Sequence, residues 1–134
     1  MELQSDGVRT TSDRKIRVLI VDDDPQVLRS LQRALSEHEV VTADGGRAAL
    51  AHIEENPAFD AIVCDLSMDD MDGMELHAEL DRRWPSLAGR VVFMTGGAFT
   101  EATQTFLARV PNTCLQKPFD LLKLRSELRS MIVG

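Results

Sequence analysis

The chain has 134 residues, 43% of them hydrophobic, which suits one compact domain with a real core. A formal net charge of -7 argues against direct nucleic-acid binding and fits a domain that binds a cation or docks on a protein surface. Apolar stretches are far shorter than the roughly 20 residues that span a membrane, and the polar start lacks a signal-peptide core, so we expect a cytoplasmic domain without membrane contact.

The first elements of the chain are a tail, a strand and a helix. Residues 1–14 are rich in Ser, Thr, Asp and Arg and are predicted to be a flexible tail or linker before a domain over 15–134. The apolar run Arg17–Val21 predicts a strand, and Asp24 followed by Pro25 is typical of an N-cap with proline at the first helical position. The helix then carries apolar residues at helical spacing, namely Val27, Leu28, Leu31 and Leu35.

A second strand, a short helix and a third strand are expected next. The second strand covers Glu39–Ala43 and closes on the turn signal Asp44-Gly45-Gly46. The helix after it ends before Pro57, and a third strand follows over Asp60–Cys64. The apolar residues that mark this helix are Ala49, Leu50 and Ile53.

The second half of the chain repeats the alternation of helix and strand. Its expected elements are a helix with Leu76 and Leu80, a strand over Arg90–Met94, a helix capped by Thr100, a strand within Thr113–Gln116 and a helix capped by Asp120. Five strands alternating with five helices predict an α/β domain with a doubly wound, mostly parallel sheet. Cys64 and Cys114 lie inside apolar runs, so we expect buried reduced thiols rather than a disulfide or metal pair.

Four of the apolar runs end on residues that could handle phosphate. These endings are Asp22-Asp23-Asp24, Asp65, Thr95 and Lys117. The carboxyl ends of parallel strands meet at one edge of a sheet, where open α/β sheets bind their ligands. Carboxylates, a hydroxyl and an ammonium at one edge predict a metal-assisted phosphoryl site.

The acidic endings are suited to a hard cation. Mg²⁺ prefers oxygen ligands and usually keeps several waters, so Asp22, Asp23 and Asp65 would form a suitable partial cage. Without a cation these carboxylates would repel one another and raise each other's pKa. The competing interpretation is that Asp23 and Asp24 only cap the first helix, and for Asp24 we favour that interpretation.

Asp65 is the candidate nucleophile of the predicted site. An aspartate carboxylate can form an aspartyl phosphate, and a metal would neutralise the carboxylate and the incoming phosphoryl oxygens together. Ser67, two residues later, could offer its backbone carbonyl to the metal. Asp69, Asp70 and Asp72 are expected to be mostly solvated loop charges, with Asp72 close to a helix start.

Thr95 and Lys117 are the candidate phosphoryl contacts. Lys117 offers a compact positive charge, Thr95 offers one hydrogen bond, and Gly96-Gly97 lets the backbone approach the site and move. A shift of Thr95 towards a new phosphoryl group would create a two-state switch. Singly, Thr95 also fits a turn hydroxyl and Lys117 a surface lysine, but their joint placement favours the site.

The full set of motifs resembles the receiver domain of two-component signalling systems. The matching stretches are Val21-Asp22-Asp23-Asp24-Pro25, Asp60-Ala61-Ile62-Val63-Cys64-Asp65, Met71-Asp72-Gly73, Met94-Thr95-Gly96-Gly97 and Lys117-Pro118-Phe119. The resemblance covers about residues 15 to 133, and the combined order and spacing of these motifs are highly specific. The stretches after Thr95 and Lys117 also look like receivers attached to hybrid sensor histidine kinases.

The resemblance implies a fold, a reaction and partners. The fold would be flavodoxin-like, with strand order 2-1-3-4-5, and Asp65 would accept phosphate from the phosphohistidine of a histidine kinase or a histidine phosphotransfer domain. Asp22, Asp23, Asp65 and the Ser67 carbonyl would hold Mg²⁺, while Thr95 and Lys117 would contact the phosphoryl group. Activity would be limited to self-phosphorylation and autodephosphorylation.

Two positions depart from the family pattern. Family members usually carry Pro four residues after the phosphoacceptor, where this chain has Asp69, so the loop is expected to be less rigid and more acidic. Many members place Tyr or Phe three residues before the lysine, where this chain has Cys114. The usual aromatic coupling from Thr95 is therefore in doubt, which fits a phosphate relay or sink better than a strong on-off switch.

Two other functions stay open on the sequence. Asp22-Asp23-Asp24 contains the D-x-D pattern of a haloacid-dehalogenase-like phosphatase with Asp22 as nucleophile, although no acidic strand end follows Lys117 and there is no room for a cap domain. A degenerate docking domain that is never phosphorylated would explain the missing proline and aromatic residue. The intact set of Asp65, Thr95 and Lys117 with the acidic pair argues against it.

Overall fold

A five-stranded, all-parallel sheet organises the protein, with strand order β2-β1-β3-β4-β5. The computed structural model describes residues 15–97, 100–117 and 120–133, so the predicted tail and the motif positions 98, 99, 118 and 119 lie outside the described residues. The strands are β1 (Arg17–Val21), β2 (Glu39–Ala43), β3 (Ala61–Asp65), β4 (Val91–Thr95) and β5 (Cys114–Gln116). The helices are α1 (Pro25–Ala34), α2 (Gly46–Glu55), α3 (Gly73–Arg83), α4 (Pro85–Ala88), α5 (Glu101–Arg109) and α6 (Leu121–Val133). The doubly wound, flavodoxin-like order predicted for the sheet is confirmed.

Alternating side chains of the strands build a separate apolar core on each face of the sheet. On one face, Val18 and Ile20 of β1 pack with residues from α1 and α6, including Leu31 and Leu124. The other core contains Leu19 and Val21 from the same strand together with residues of α2, α3 and α5; representative members are Ile53, Leu76 and Phe106. With both faces covered, polar strand-end residues can gather only at the sheet edge.

Side-chain caps fix where several helices begin, as the sequence predicted. Asp24 caps α1 by accepting a hydrogen bond from the Gln26 N–H at 2.9 Å. Thr100 caps α5 by accepting from the Thr103 N–H at 3.1 Å. Asp120 accepts from the Leu122 N–H at 2.9 Å at the start of α6. These caps satisfy helix N–H groups that have no partner within the helix.

The structure differs from the sequence prediction in small, explicable ways. The described residues form six helices rather than five, because Trp84-Pro85 ends α3 and starts the one-turn helix α4 with proline in its first turn. Strands β3 and β4 start and end one residue later than predicted, so Asp65 and Thr95 are the last residues of their strands.

The two cysteines agree only in part with the expectation that both are buried reduced thiols. Both cysteines are free, but Cys64 is buried whereas Cys114 is half-buried. Burial raises the pKa of both thiols.

None of the described helices has the length and apolar character required to cross a membrane.

Candidate functional site

Three carboxylates converge where β1 and β3 end side by side. Because Val21 pairs with Cys64 in the parallel register, the residues that follow them, Asp22 and Asp65, lie next to one another. One carboxylate oxygen each from Asp22, Asp23 and Asp65 lies within 4.8 Å of the others. The strand order reverses between β1 and β3, which is where open α/β sheets form a binding crevice.

Asp22 is fully buried and both of its carboxylate oxygens have partners. Oδ1 accepts a hydrogen bond from the Asp24 N–H at 2.9 Å, and Oδ2 accepts from Lys117 Nζ at 2.8 Å. Its own N–H donates to the carbonyl of Ala43 at 3.1 Å, which ties the end of β1 to β2. Asp22 is therefore held in place by hydrogen bonds on both oxygens, and one of them comes from the charged side chain of Lys117.

Asp65 is 6% exposed and is held more loosely than Asp22. One carboxylate oxygen accepts from the Ser67 N–H at 3.3 Å and the other from Lys117 Nζ at 3.3 Å. Burial raises the pKa of this carboxyl and the Asp22 charge adds to the rise, whereas Lys117 opposes it. Lys117 thus compensates the ionised carboxylate of Asp65 only in part, and a cation bound nearby would stabilise that ionised form.

Lys117 reaches both buried carboxylates from the residue after β5. Burial lowers its pKa, but the hydrogen bond to Asp22 and the charges of Asp22 and Asp65 outweigh this, so the pKa is raised overall and the ammonium stays charged. A Cβ atom built on Gly96 would lie 3.2 Å from Cδ of Lys117, so glycine at that position leaves space for the lysine stem.

Thr95 is buried at the end of β4 and meets Lys117 through its backbone. Its carbonyl accepts a hydrogen bond from the Lys117 N–H at 2.7 Å. The structure thus brings Asp22, Asp23, Asp65 and Lys117 into direct proximity, and joins Thr95 to them through the main chain.

Gly73 also belongs to the site, because only glycine fits there. This residue was named from the sequence as part of a motif, but it was not predicted that the position excludes a side chain. A Cβ atom there would lie 2.7 Å from the carbonyl oxygen of Asp65 and 3.0 Å from Cα of Leu66. The Gly73 N–H donates to the carbonyl of Leu66 at 3.0 Å, which closes the loop between β3 and α3. Glycine is needed because α3 starts against the backbone of Asp65, and the Asp72-Gly73 pair was the available signal.

Asp70 is exposed and Asp72 lies at a helix start, as expected, but both carboxylates also accept backbone hydrogen bonds that the sequence analysis did not predict. Asp72 caps α3 in a reciprocal capping box with Glu75. Asp70 is exposed, but its carboxylate accepts hydrogen bonds from the N–H groups of Gly46 and Arg47 at the start of α2, each at 3.3 Å. The loop after Asp65 is therefore attached to a second helix, which the order of residues along the chain did not reveal.

The residues at the strand ends suit a hard divalent cation. Three carboxylates supply oxygen ligands, and Lys117 alone does not balance their charge if all are ionised. Asp23 is exposed, so the cluster can be reached from solvent. Oxygen ligands with an open side match the preference of Mg²⁺, which keeps several of its waters.

An apolar groove lies directly beside the acidic cluster, between α1 and the start of α6. Its lining combines apolar residues of both helices with Asp24, Gly96 and Lys117 at the end nearest the cluster. The apolar and small residues of the lining are Val27, Leu31, Ala34 and Leu121.

Comparison with known proteins gives matches over most of the chain. The family model for the response regulator receiver domain matches residues 18–129. The response regulator receiver protein CpdR of Brucella abortus (strain 2308) is 31% identical over 120 residues, which cover 88% of this chain and 98% of CpdR. The transcriptional regulatory protein TcrA of Mycobacterium tuberculosis (strain H37Rv) is 33% identical over 120 residues, 87% of this chain but 46% of TcrA.

Solved structures give the same picture. A CheY-like response regulator receiver domain protein from Methanospirillum hungatei JF-1 has a TM-score of 0.78 and 27% identity, covering 90% of this chain and 95% of its own. The chemotaxis protein CheY4 of Vibrio cholerae has a TM-score of 0.75 and 27% identity, and the match covers 88% of this chain and 99% of the CheY4 chain.

Proposed function

The chain belongs to the response regulator receiver domain family and is a phosphoacceptor domain, and we propose that Asp65 is the residue that accepts the phosphoryl group. The observation that carries this assignment is the contrast between two neighbouring carboxylates. Asp22 is completely buried with both oxygens engaged at 2.9 and 2.8 Å, whereas Asp65 is slightly exposed and its two contacts are 3.3 Å long. Asp65 is therefore the better placed of the two to attack an incoming group.

The proposed reaction is a single phosphoryl transfer from a phosphohistidine. A carboxylate oxygen of Asp65 forms a bond to phosphorus, the P–N bond breaks, and the histidine nitrogen keeps the electron pair and takes a proton. Lys117 stays charged and can move its ammonium from the carboxylate of Asp65 to a phosphoryl oxygen. Thr95 supplies a hydroxyl at the same edge of the sheet.

Asp22, Asp23, Asp65 and the backbone carbonyl of Ser67 are the proposed ligands of Mg²⁺. When bound, the ion neutralises negative charge shared by the carboxylates and the phosphoryl oxygens. The support for this proposal is the oxygen-only cluster within 4.8 Å and the raised pKa of Asp65, caused first by burial and then by Asp22.

Receiver domains interact with histidine kinases or phosphotransfer proteins, and we propose that such a partner docks in the groove between α1 and α6. The groove offers apolar area from Val27, Leu31 and Leu121 and ends at Lys117. The chain spans nearly all of CpdR but about half of TcrA, so attachment to a larger protein, including a hybrid histidine kinase, stays a prediction. A cytoplasmic setting and a lack of nucleic-acid contact stay predictions as well.

A phosphodonor experiment tests the proposed function. The protein is incubated with Mg²⁺ and acetyl phosphate, and intact mass is measured before and after treatment with hydroxylamine, which cleaves acyl phosphates. We expect one labile phosphoryl adduct that disappears in Asp65→Asn and persists in Asp24→Asn, a matched loss of one charge beside the site.

The other functions give different outcomes in the same experiment. An adduct that survives Asp65→Asn but is lost in Asp22→Asn, with turnover of phosphate esters, would favour a phosphatase. A folded protein without any adduct would favour a docking domain that is never phosphorylated.

A further inference from the structure

The loop between β3 and α3 is held against the start of α2 by one carboxylate. Oδ1 of Asp70 accepts a hydrogen bond from the Gly46 N–H, and Oδ2 accepts one from the Arg47 N–H, each at 3.3 Å. Oδ1 also accepts from the N–H of Met71 at 2.7 Å, which fixes the orientation of the carboxylate within its own loop. We refer to the contact of Asp70 with Gly46 and Arg47 as the Asp70 clamp.

The start of α2 needs a partner from elsewhere in the chain. Its N-cap residue is Gly45, which has no side chain to cap the first turn. Helix N–H groups in the first turn lack partners within the helix, and an acidic group there is favoured by the helix dipole. Asp70 supplies this cap from a loop that lies 24 residues from Gly46 along the chain.

The two glycines at the start of α2 make the approach of the loop possible. A Cβ atom on Gly45 would lie 2.7 Å from Oδ1 of Asp70, and one on Gly46 would lie 2.7 Å from Cβ of Met71. The backbone of Gly45 is extended, with φ of 178°, a conformation that any residue adopts. Glycine at position 45 is therefore explained by the space that the carboxylate occupies.

The clamp acts on the same loop that carries Ser67. That loop is fixed at its two ends, where the Leu66 N–H donates to the carbonyl of Met94 at 2.9 Å and the Gly73 N–H donates to the carbonyl of Leu66 at 3.0 Å. Between these ends, Met68 is buried in the core and Asp70 is held by α2. Ser67 thus lies between two anchored residues, although Asp69 replaces a proline that would have stiffened the loop.

We propose that Asp70 is a positioning residue for the Mg²⁺ site, because the clamp holds the loop in the conformation that directs the Ser67 carbonyl to the ion. The inference rests on the proposed function in taking that carbonyl as a ligand. Hydrogen bonds, first from Met71 and then from Arg47 and Gly46, lower the pKa of Asp70, so the clamp is charged at neutral pH. Groups that orient metal ligands typically change metal affinity by about 10- to 100-fold, and an indirect loop contact should act at or below that range.

The test compares variants that remove the same charge from adjacent positions. Asp70→Ala removes the clamp, whereas Asp69→Ala removes an exposed carboxylate for which the described residues provide no hydrogen bond. Asp70→Asn removes the charge but keeps the oxygen that accepts from Gly46. Gly45→Ala disturbs the Asp70 clamp from the other side, because the new Cβ would occupy the space of the Asp70 carboxylate, and it leaves both aspartates unchanged.

Mg²⁺ affinity is measured by calorimetry on the unphosphorylated protein, and the rate of phosphorylation by acetyl phosphate is then measured against Mg²⁺ concentration. We expect Asp70→Ala and Gly45→Ala to weaken Mg²⁺ binding about three- to tenfold. The change in the logarithm of the Mg²⁺ affinity should be less than half as large in Asp70→Asn as in Asp70→Ala. Asp69→Ala should change the affinity less than about twofold. The rate at saturating Mg²⁺ should change less than about twofold in all four.

Equal Mg²⁺ affinities for Asp70→Ala and Asp69→Ala would overturn the inference and leave the proposed function intact. A wild-type protein that binds Mg²⁺ and forms no adduct, while Asp70→Ala still binds the ion more weakly, would refute the proposed function and support the clamp. A fall in the saturating rate without a change in Mg²⁺ affinity would also overturn the inference, since the residue would then act on the transfer step.

Discussion

Replacing Lys117 by methionine should destabilise the Mg²⁺-free protein and at the same time strengthen Mg²⁺ binding. The ammonium lies 2.8 Å from an oxygen of Asp22 and 3.3 Å from one of Asp65. Methionine keeps the apolar stem beside Gly96 but leaves two buried carboxylates without their cation. Mg²⁺ would then meet a more negative site.

The size of the effect follows from the two contacts. With an effective dielectric constant near 20, unit charges at these separations attract by about 6 and about 5 kcal/mol, before desolvation and side-chain entropy are subtracted. Removing one partner of a buried ion pair typically costs about 3–5 kcal/mol. The lysine side chain is 22% exposed, so solvent screens the pairs, and we expect the low end of about 3 kcal/mol. For a domain of this size the midpoint of thermal unfolding should fall by about 12 °C.

Unfolding is followed through the single tryptophan, Trp84, at the junction of α3 and α4, with and without Mg²⁺. Lys123→Met is the matched control, because it removes the same charge from an exposed position on α6. We expect Mg²⁺ to stabilise Lys117→Met more than the wild type, with an affinity about fivefold higher, since the competing ammonium is gone. The Lys123→Met variant should resemble the wild type in both respects.

Two results would refute this reasoning. A loss of less than about 1 kcal/mol would mean that Lys117 does not neutralise the buried carboxylates. An equal or weaker Mg²⁺ affinity in Lys117→Met would mean that the ion and the ammonium do not share the same charges.

Three other predictions concern single residues, two beside the site and one, His77, on α3 against Phe93 and Phe106. Gly73→Ala should destabilise the protein by about 1–3 kcal/mol in urea unfolding and slow phosphorylation, because the new Cβ meets backbone atoms at 2.7 and 3.0 Å; wild-type behaviour would contradict the close approach. Asp24→Ala should cost about 1 kcal/mol through loss of the α1 cap yet keep the adduct in intact-mass spectra, and a missing adduct would contradict its role as a cap alone. The pKa of His77 is lowered in the folded protein, chiefly by burial, so the unfolded chain binds a proton on this imidazole more tightly than the folded protein does. The stability that the neutral ring contributes above its usual pKa of 6.5 is therefore lost as the pH falls through the lowered pKa of the folded protein. In His77→Leu the pH dependence of urea unfolding between about pH 7 and 5.5 should flatten, and an unchanged slope would contradict burial of the neutral ring.

The sequence determined the sheet and its edge because both depend on local patterns. Apolar runs that stop on charged residues predict buried parallel strands, and the alternation with helices predicts the layers on both faces. Once the sheet is parallel, Asp22, Asp65, Thr95 and Lys117 must emerge at one edge, as they do. The caps at Asp24, Thr100 and Asp120 were predictable for the same reason, since each bonds within its own turn.

Contacts between distant loops could not be read from the chain. Asp70 looked like a solvated charge because its partners, Gly46 and Arg47, precede it by more than 20 residues and offer only backbone groups. The crowding at Gly73 depends on how α3 is placed against β3, which a residue type does not reveal. The short helix α4 was missed because one turn gives too little periodicity to detect.

Locating the phosphoryl group tests the central claim most directly. The wild-type protein is phosphorylated with acetyl phosphate and Mg²⁺, reduced with borohydride, which converts an aspartyl phosphate to homoserine, and digested for tandem mass spectrometry. We expect homoserine at position 65 and at no other aspartate, with the yield dependent on Mg²⁺. Homoserine at Asp22 or Asp23, or none in a protein that is folded and binds Mg²⁺, would contradict the assignment of Asp65 as the phosphoacceptor.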